Sequence, residues 1–471
     1  MYVNRGLANI LIGALLAAGP AAVAGAQAEP STEPITVDRQ QAVEYALDHN
    51  FGLRRDRRSL AFKKRQVETK LNRLYPQVSV STSMARLNEK PSDPTAGLVE
   101  LVAPLYEAQG IPFEPPDSDL PRWNLSARLN MQLTLSLQLF EGIEQVQLEY
   151  ERGQVSLRRA KARVARDVKR QFLQVLLLQE QVEVVEASAE GARERYEQAQ
   201  TSYESGLLSE YELLRSQVAY ENTKPQLAEL RNAVDGAKLA LKLTMGMETE
   251  RPIELGGSFE TELREFEVKE LRDRLADNPQ LAELRAQRVS VRNLIDVTKT
   301  GMYPSVTFGF SADPTFQGDP WSDSWFEDPG DSWAQQSGAF SITLTQPLDP
   351  LLPGSQSRVT IEQRESELEQ LDASLGETYA GLEVQLRNTV RELEQARTGI
   401  ENKQLNVEVA ERAYDLAEEA YNAGSAELLE LKDAERELDR ARFDLLGARH
   451  DYMTGLFELE YLLDTPVEEL G

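Results

Sequence analysis

The chain contains four segments in which apolar and polar residues alternate. In the longest, every second residue from Leu125 to Leu139 is apolar and the residues between them are polar. A period of two predicts a strand with one apolar and one polar face, and this segment exceeds the ~9 to 11 residues that a membrane-spanning strand needs. The pattern predicts a partner strand and a second strand pair, marked by Val78, Val80, Thr82 and Met84, by Val306, Phe308 and Phe310, and by Phe340, Ile342 and Leu344.

Two other segments lack proline over lengths far beyond an ordinary helix. Residues 142–205 and 355–423 consist mostly of strong helix formers. A helix over the first segment would be ~96 Å long, whereas helices of globular domains span ~8 to 20 residues. Return helices are predicted over about 209–247 and 427–464, the first with a kink or short break at Pro225.

Apolar residues along these helices recur at alternating spacings of three and four, which is the heptad pattern of coiled-coil helices. Such a pattern reports how helices pack and says nothing about chemistry. The fold class predicted from both periods is mainly α with membrane β. The seams are Leu431, Ala434, Leu438, Ala441, Leu445 and Ala448; Leu227, Leu230, Val234, Ala237 and Leu241; and Ala410, Ala413, Ala417 and Ala420.

The second half of the chain repeats the first. Three correspondences in one order predict a tandem duplication. At an offset of 218, Tyr196, Tyr203, Gly206 and Leu213 return as Tyr414, Tyr421, Gly424 and Leu431. At an offset of 228, Asn50 and Leu53 return as Asn278 and Leu281, and Leu-Tyr-Pro-Gln-Val at 74–78 returns as Met-Tyr-Pro-Ser-Val at 302–306.

The domain organisation follows from these patterns. Residues 1–28 are predicted to be a signal peptide, because Arg5 precedes an apolar stretch and Ala26-Gln27-Ala28 offers small residues for cleavage. Two structural repeats follow, 29–257 and 258–471. Each is predicted to hold shorter helices, a β-hairpin (about 77–140 or 304–347), a long helix and a return helix.

Composition excludes several functions. The chain has no cysteine, and its two histidines, His49 and His450, lie in different repeats. Its net charge of −27 argues against nucleic acid as a partner. Phosphate loops, nucleotide fingerprints and hydrolase elbows are missing from the sequence. We therefore predict that the protein is not an enzyme and binds no cofactor or catalytic metal, so that energy for transport must come from a partner.

Four strands cannot close a membrane barrel, for which about eight is the practical minimum, and lipid does not tolerate open strand edges. Several chains must therefore pool their strands, and three chains would give twelve. An exported N-terminus places the hairpin loops 86–124 and 312–337 outside the cell. Two interpretations of these loops stay open, a solvated loop with tryptophans at the bilayer edge or a ligand or calcium contact. The residues concerned are Trp123, Trp321, Trp325, Trp333, Asp319, Asp323, Asp328 and Asp331.

Several short motifs stand at equivalent places in the two repeats: Tyr75-Pro76 and Tyr303-Pro304, Leu139-Phe140-Glu141-Gly142 and Gln346-Pro347-Leu348, and Tyr203-Glu204-Ser205-Gly206 and Tyr421-Asn422-Ala423-Gly424. Together with the duplication, they resemble the TolC family of outer-membrane efflux and secretion channels. The resemblance implies a homotrimer with a twelve-stranded β-barrel in outer-membrane lipid and a long α-helical tunnel in the periplasm. It also implies a periplasmic adaptor (membrane fusion) protein and an inner-membrane pump or ABC transporter as partners.

Gly206 and Gly424 are predicted to end the long helices, since glycine readily adopts the left-handed conformation of a helix stop. The resemblance implies that these turns are the periplasmic tips, which meet the adaptor. The docking candidates are therefore Gly206, Leu207, Leu208, Gly424 and Ser425. An ordinary turn between two helices is the alternative.

Glu430 and Asp433 are three residues apart and share a helix face. Three copies would form a ring of six carboxylates that favours cations, and a solvated helix face is the alternative. The resemblance implies that this pair matches the acidic aperture of the family, and that Glu212 and Tyr421 help to hold the entrance shut. Ala426 stands where the best-known member has an arginine, so the closing contacts must differ here.

The predicted function is that of a passive outer-membrane exit duct of a tripartite efflux pump or a type I secretion system, with a large periplasmic portion. The alternative is a periplasmic coiled-coil adaptor or scaffold without a membrane pore. That alternative explains the heptads but not the four alternating strands. An enzyme with a β-rich insert is disfavoured because no set of nucleophile and base is present.

Overall fold

The computed structural model describes residues 35–88, 96–110, 112, 123–257, 259, 262–313, 315–317 and 337–469. The predicted signal peptide lies outside these residues, as do the tryptophans and aspartates proposed for the second hairpin loop. None of the helices in the described part combines the length and the apolar composition of a membrane span.

Each half of the chain ends in a hairpin of two long helices that follows a strand pair. The first half contains β1 (Ile35–Val37), α1 (Arg39–His49), α2 (Phe51–Glu68), β2 (Gln77–Arg86), α3 (Ala96–Ala108), β3 (Trp123–Leu135), α4 (Leu137–Glu204) and α5 (Glu210–Met245). The second half contains β4 (Ile253–Leu255), α6 (Val268–Leu271), α7 (Pro279–Thr300), β5 (Ser305–Asp313), β6 (Thr315–Gln317), β7 (Ser337–Thr345), α8 (Gln356–Asn422) and α9 (Leu428–Leu463).

The two longest helices are α4, with 68 residues, and α8, with 67 residues. Each is about 100 Å long at 1.5 Å per residue. α4 begins before residue 142, so the prediction of strand structure at Leu137 and Leu139 is wrong. The reason is local: Ser136 has an extended backbone, and its hydroxyl accepts a hydrogen bond from the Leu139 amide at 3.2 Å. This N-cap starts the helix although the alternating pattern continues.

A short break at Pro225 and Ala413 as part of a buried seam are two further local predictions that are wrong. α5 runs without a break through Pro225, which lies on the exposed side of the helix. There, the carbonyl that loses its amide partner can bond to water, and α5 is supported by packing against α4. On α8, Ala413 is exposed, and the seam continues from Ala410 through Tyr414 to Tyr421. The spacing of three and four residues is kept, but the tyrosines at 414 and 421 take seam positions that the prediction had assigned to alanines.

The membrane strands form one antiparallel sheet in the order β2, β3, β5, β7. Its register matches apolar with apolar residues: Val80 lies opposite Leu129, and Phe308 lies between Leu133 and Ile342. β6 also pairs with β3, beyond the part that β5 covers. The sheet therefore has one apolar and one polar face, as the alternating pattern predicts. Its edges are β2 and β7.

The four helices of the two hairpins form a layer in the order α8, α9, α4, α5. α9 and α4 lie at its centre and join the two halves of the chain. One buried core surrounds Phe172 and includes Phe457 from α9. The other surrounds Leu386 and Tyr452. α5 and α9, with 36 residues each, are about half as long as α4 and α8. In the half of the long helices nearer the sheet, α1, α2 and α7 pack against α4, and α7 also packs against α8.

The hairpin loop 86–124 is not only a solvated loop, because it contains α3. Leu98, Leu101 and Leu105 recur at helical spacings within it. Pro104 lies inside this helix, and proline in a short segment is ordinarily a signal against helix.

Two asparagines make equivalent contacts in the two halves of the chain. Asn50 caps α2 and Asn278 caps α7, with nearly identical backbone angles (φ −53° and −52°). The amide of Asn50 donates to the Thr244 carbonyl at 2.7 Å, and the amide of Asn278 donates to the Leu462 carbonyl at 2.8 Å. Each asparagine thus joins the start of one helix to the last turn of the return helix. The predicted division into repeats at residue 257 stays a prediction, and this shared device supports it.

We expect Asn278→Ala to lower the free energy of unfolding by about 2–3 kcal/mol, because it removes a helix cap and leaves the Leu462 carbonyl buried without a donor. Asn50→Ala should cost less, since Asn50 is half-buried whereas Asn278 is 2% exposed. Thermal melting followed by circular dichroism at 222 nm would measure both. Equal losses of unfolding free energy in the two variants would show that burial of the asparagine does not determine how much it stabilises the fold.

Candidate functional site

Both helical hairpins end in the same turn. Gly206 and Gly424 have φ values of +74° and +72°. In each turn, the amide of the residue after the glycine (Leu207 or Ser425) donates to a carbonyl in the last helical turn at 2.9 Å. This is the Schellman arrangement, which needs a left-handed residue at the glycine position. The five predicted docking residues, Leu208 included, therefore lie on two equivalent tips.

The two tips differ in polarity. Leu207 is 83% exposed and Leu208 is half-buried, whereas Ser425 and Ala426 occupy the equivalent places on the second tip. A Cβ atom at either tip glycine would meet no atom within 4 Å. Glycine is therefore needed for the backbone conformation and not for space. The first tip presents an apolar side chain to its surroundings, and the second presents a small polar one.

The predicted acidic pair lies just beyond the second tip. Glu430 is exposed in the first turn of α9. The side chain of Asp433 is 56% exposed and forms an ion pair with Arg436, one turn further along the helix. Both carboxylates are accessible on one helix face. Arg436 is a cationic neighbour that the sequence prediction did not include.

Glu212 occupies the corresponding position on the first hairpin. The offset of 218 that relates the repeats takes Glu212 to Glu430, and it takes Arg215 to Asp433. The Glu212 carboxylate lies 3.9 Å from the guanidinium of Arg215. At these two positions the first hairpin therefore carries one acid and one base, where the second carries two acids. Only the second repeat contributes a purely acidic pair.

Tyr421 lies on the seam of α8 directly before the second tip. Burial raises the pKa of Tyr421, the Glu212 carboxylate raises it further, and Arg195 opposes both. The phenol consequently stays protonated at neutral pH and can donate a hydrogen bond. The structure therefore brings the predicted residues Tyr421 and Glu212 within electrostatic reach of each other, across the two repeats.

A shielded ion pair close to the tips was missed by the sequence analysis. Nη2 of Arg195, on α4, lies 2.6 and 2.7 Å from the two carboxylate oxygens of Glu435, on α9. Their side chains are only 10% and 16% exposed. Burial opposes the charge on Arg195, yet Glu435 outweighs it and raises the pKa of Arg195. This pair joins the first hairpin to the second.

Further polar residues surround this pair and form with it the tip cluster, which comprises Ser188, Arg195, Tyr414, Lys432, Glu435 and Asp439. The Ser188 hydroxyl donates to Asp439 at 2.6 Å, which is a second tie between α4 and α9. Burial raises the pKa of Asp439 although this hydrogen bond opposes the shift. Burial and Arg215 lower the pKa of Lys432. The hairpins are thus joined by charges whose attraction depends on exclusion of water.

The repeat comparison contains a signal that could have found the ion pair. At the offset of 218, Arg195 corresponds to Ala413 and Glu435 corresponds to Gln217. Opposite charges at places where the other repeat is uncharged indicate a contact between the repeats. The heptad search considers only apolar residues, so it passes over both.

Two long helical hairpins that are tied together near their tips and continue into a sheet with open edges define the class of the protein. It is a subunit of a channel built from long helices and membrane strands. The sequence profile of the outer membrane efflux protein family matches residues 42–247 and 271–464. The chain therefore belongs to the outer membrane efflux protein family.

Individual relatives agree with this assignment. The cobalt-zinc-cadmium resistance protein CzcC of Cupriavidus metallidurans is 24% identical over 326 residues, which are 68% of this chain and 72% of CzcC. The alkaline protease secretion protein AprF of Pseudomonas aeruginosa is 23% identical over 290 residues, which are 61% of this chain and 58% of AprF. The outer membrane channel CmeC of Campylobacter jejuni superimposes with a TM-score of 0.70 at 14% identity, covering 90% of this chain and 85% of CmeC.

The predicted fold class is confirmed: the chain is mainly α, with long coiled-coil helices and four membrane β-strands, as in the outer-membrane channels that it resembles. The predicted function is confirmed as well, and the protein is an outer-membrane exit duct of efflux or type I secretion systems with a large periplasmic part. A periplasmic scaffold without a pore is therefore set aside. The roles of individual residues at the tips go beyond these findings.

We expect Arg195→Ala to loosen the helical tips, because Glu435 would stay shielded from water without a partner. A loss of about 2–3 kcal/mol would speed local amide exchange by roughly 30- to 150-fold. Hydrogen–deuterium exchange of α4 and α9 near the tips would measure the change. Arg193→Ala is the matched control, since Arg193 pairs with Glu190 on its own helix and its side chain is 47% exposed. A similar increase in both variants would contradict the assignment.

Proposed function

We propose that three copies of this chain form one duct, whose tips dock a periplasmic adaptor and whose entrance stays closed until an inner-membrane pump or ABC transporter delivers cargo. The observation that carries the proposal is the tip cluster. It joins the two hairpins of a chain at the end where adaptor and cargo must arrive. Movement of one hairpin relative to the other would open the duct there.

Open edges support a closed ring of identical chains. β2 and β7 have unpaired edges, and α5 and α8 are the outer members of the helix layer. Cyclic assembly would place β7 of one chain beside β2 of the next and α8 beside α5. Both outer helices expose apolar side chains at helical spacings, namely Tyr211, Leu214 and Val218 on α5 and Leu405, Val409 and Leu416 on α8.

The tips are the surface that we assign to the adaptor. Gly206, Leu207, Leu208, Gly424 and Ser425 lie at the end of the helices farthest from the membrane sheet. Leu207 is the side chain most available to a partner, being 83% exposed. The names of CzcC and AprF refer to metal resistance and to protease secretion. They support an energised inner-membrane partner of either kind, a pump or an ABC transporter.

Glu430 and Asp433 are proposed to line the entrance. Three-fold symmetry turns the pair into a ring of six carboxylates, which attracts cations and repels anions at a narrow opening. Arg436 neutralises part of this charge through its ion pair with Asp433. The exposed Glu430 therefore contributes most of the field.

Contacts between the repeats are proposed to keep the entrance shut. Ala426 offers no charge at the second tip. Instead, Tyr421 lies near Glu212, and Arg195 bonds Glu435 behind them. Both contacts link the first hairpin to the second, so either must weaken when the hairpins separate. The interactions that we propose to close the entrance thus lie farther from the tip than residue 426.

We expect Glu430→Ala plus Asp433→Ala to raise single-channel conductance in planar bilayers and to weaken block by divalent cations, because the carboxylate ring is lost. Glu229→Ala plus Asp235→Ala is the control, since it removes two exposed carboxylates from α5 at a distance from the tip. Unchanged conductance in the first variant would agree with a duct but would contradict the proposed acidic gate. Equal changes in both variants would indicate a general charge effect.

We expect Glu435→Gln to raise the frequency of channel opening in the same recordings, since Arg195 would lose its charged partner in a shielded place. Glu437→Gln, on the exposed side of α9, is the matched control. Stable closure in Glu435→Gln would show that this ion pair does not hold the entrance shut.

Docking can be mapped with introduced thiols, because the chain contains no cysteine. We expect Leu207→Cys to crosslink in whole cells to a periplasmic adaptor identified by mass spectrometry, and Glu229→Cys, which is exposed away from the tip, to give no such product. Crosslinking from the control position alone would move the docking surface from the tips to the helix sides.

A further inference from the structure

Among the residues that the structure describes, the polar face of the membrane sheet contains one ion pair. Nε of Arg128, on β3, lies 2.5 Å from Oδ1 of Asp313, the last residue of β5. The pair crosses the boundary between the strand pair of the first repeat and that of the second. It therefore lies at the one place in the sheet where the two halves of the chain meet.

Register fixes the direction of these side chains. Arg128 pairs with Ser81 of β2, so both lie on the polar face, whereas Leu129 and Val80 next to them lie on the apolar face. In an outer-membrane barrel, the apolar face meets lipid and the polar face lines the lumen. Arg128 and Asp313 consequently face the path of the cargo.

Among the described residues of β2, β3, β5 and β7, no other charged side chain lies on this face. The rest are serine, threonine, asparagine, glutamine, glycine and alanine. Arg86 belongs to the other face, where its guanidinium lies 5.7 Å from the ring centre of Trp123. This wall of the lumen therefore has no net charge, although the whole chain has a net charge of −27.

Stability does not explain the pair. The side chain of Arg128 is 60% exposed and that of Asp313 is 28% exposed, and ion pairs with an exposed partner contribute little to folding. The sheet is held by its backbone ladder with or without them. A pair of opposite charges in an otherwise uncharged lumen has its main effect on ions and solutes that pass it.

We propose that Arg128 and Asp313 set the charge selectivity of the membrane pore by cancelling each other. Three chains bring three cations and three anions to one level of the lumen, and the exit then admits cargo of either charge. Loss of one partner leaves three like charges, which would change the ratio of cation to anion permeability by roughly three- to tenfold. This inference rests on the proposed duct of three chains and not on the proposed gate.

Reversal potentials in a potassium chloride gradient across a planar bilayer test the proposal. Asp313→Asn should favour anions, and Arg128→Gln should favour cations. The double variant and the exchange of the two residues (Arg128→Asp with Asp313→Arg) should both return to the ratio of the unaltered channel. Arg86→Gln is the control, because it removes one positive charge from the apolar face and should leave the ratio unchanged.

Chemical modification of an introduced thiol provides a second test of this proposal. Asp313→Cys should favour anions, and a negatively charged methanethiosulfonate reagent should restore the original ratio, since no other thiol is present. A positively charged reagent should increase the anion preference. Recordings in the Glu430→Ala plus Asp433→Ala background separate exit from entrance, because a failed gate leaves these shifts intact. Single variants that conduct with an unchanged ratio, or a rescue without effect, would overturn the proposal.

Discussion

Backbone amide and carbonyl groups on the outer edges of β2 and β7 have no partner within one chain, and lipid supplies none. This constraint governs the rest of the molecule. In the proposed assembly, identical chains satisfy it by closing into a ring, and the helices then close in the same sense. The exposed apolar residues of α5 and α8, which would be a liability in an isolated chain, agree with that closure. The ring in turn brings three copies of every tip residue to one axis.

The tandem repeat supplies the scaffold, and the differences between repeats supply the chemistry. Shared features are structural, such as the capping asparagines and the glycine turns. Glu212 also returns as Glu430, but other charged positions are not shared: Asp433 stands where the first repeat has Arg215, and Arg195 stands where the second has Ala413. A duct with two identical repeats would be uniformly acidic or uniformly paired at its entrance. Divergence of a few positions allows both an acidic opening and a tie between hairpins.

Periodicity explains why so much of the fold could be predicted. The two-residue period and the heptad repeat each define one face of a strand or helix over many residues. A single deviating residue therefore does not hide the pattern. Single contacts are different. Ser136 ends β3 through one hydrogen bond, and α3 forms despite Pro104. The Arg195–Glu435 pair joins residues 240 positions apart and leaves no periodic trace. Of the site, the tips and the acidic pair were predicted from these patterns. Arg195, Glu435 and Arg436 were not, because charged partners are set by tertiary packing, and only a comparison of the two repeats points to Arg195 and Glu435.

The length of the helices separates the electrostatics of the two ends. Charges in solution are screened over about 8 Å at physiological ionic strength, whereas α4 extends about 100 Å from the sheet to the tip. The carboxylates proposed to line the entrance therefore exert no force on a solute inside the membrane strands, and the Arg128–Asp313 pair exerts none at the tips. Selection at the entrance and free passage at the exit can consequently evolve independently. A passive duct needs that independence, since a field that captures cargo at one end would retain it if it extended through the whole path.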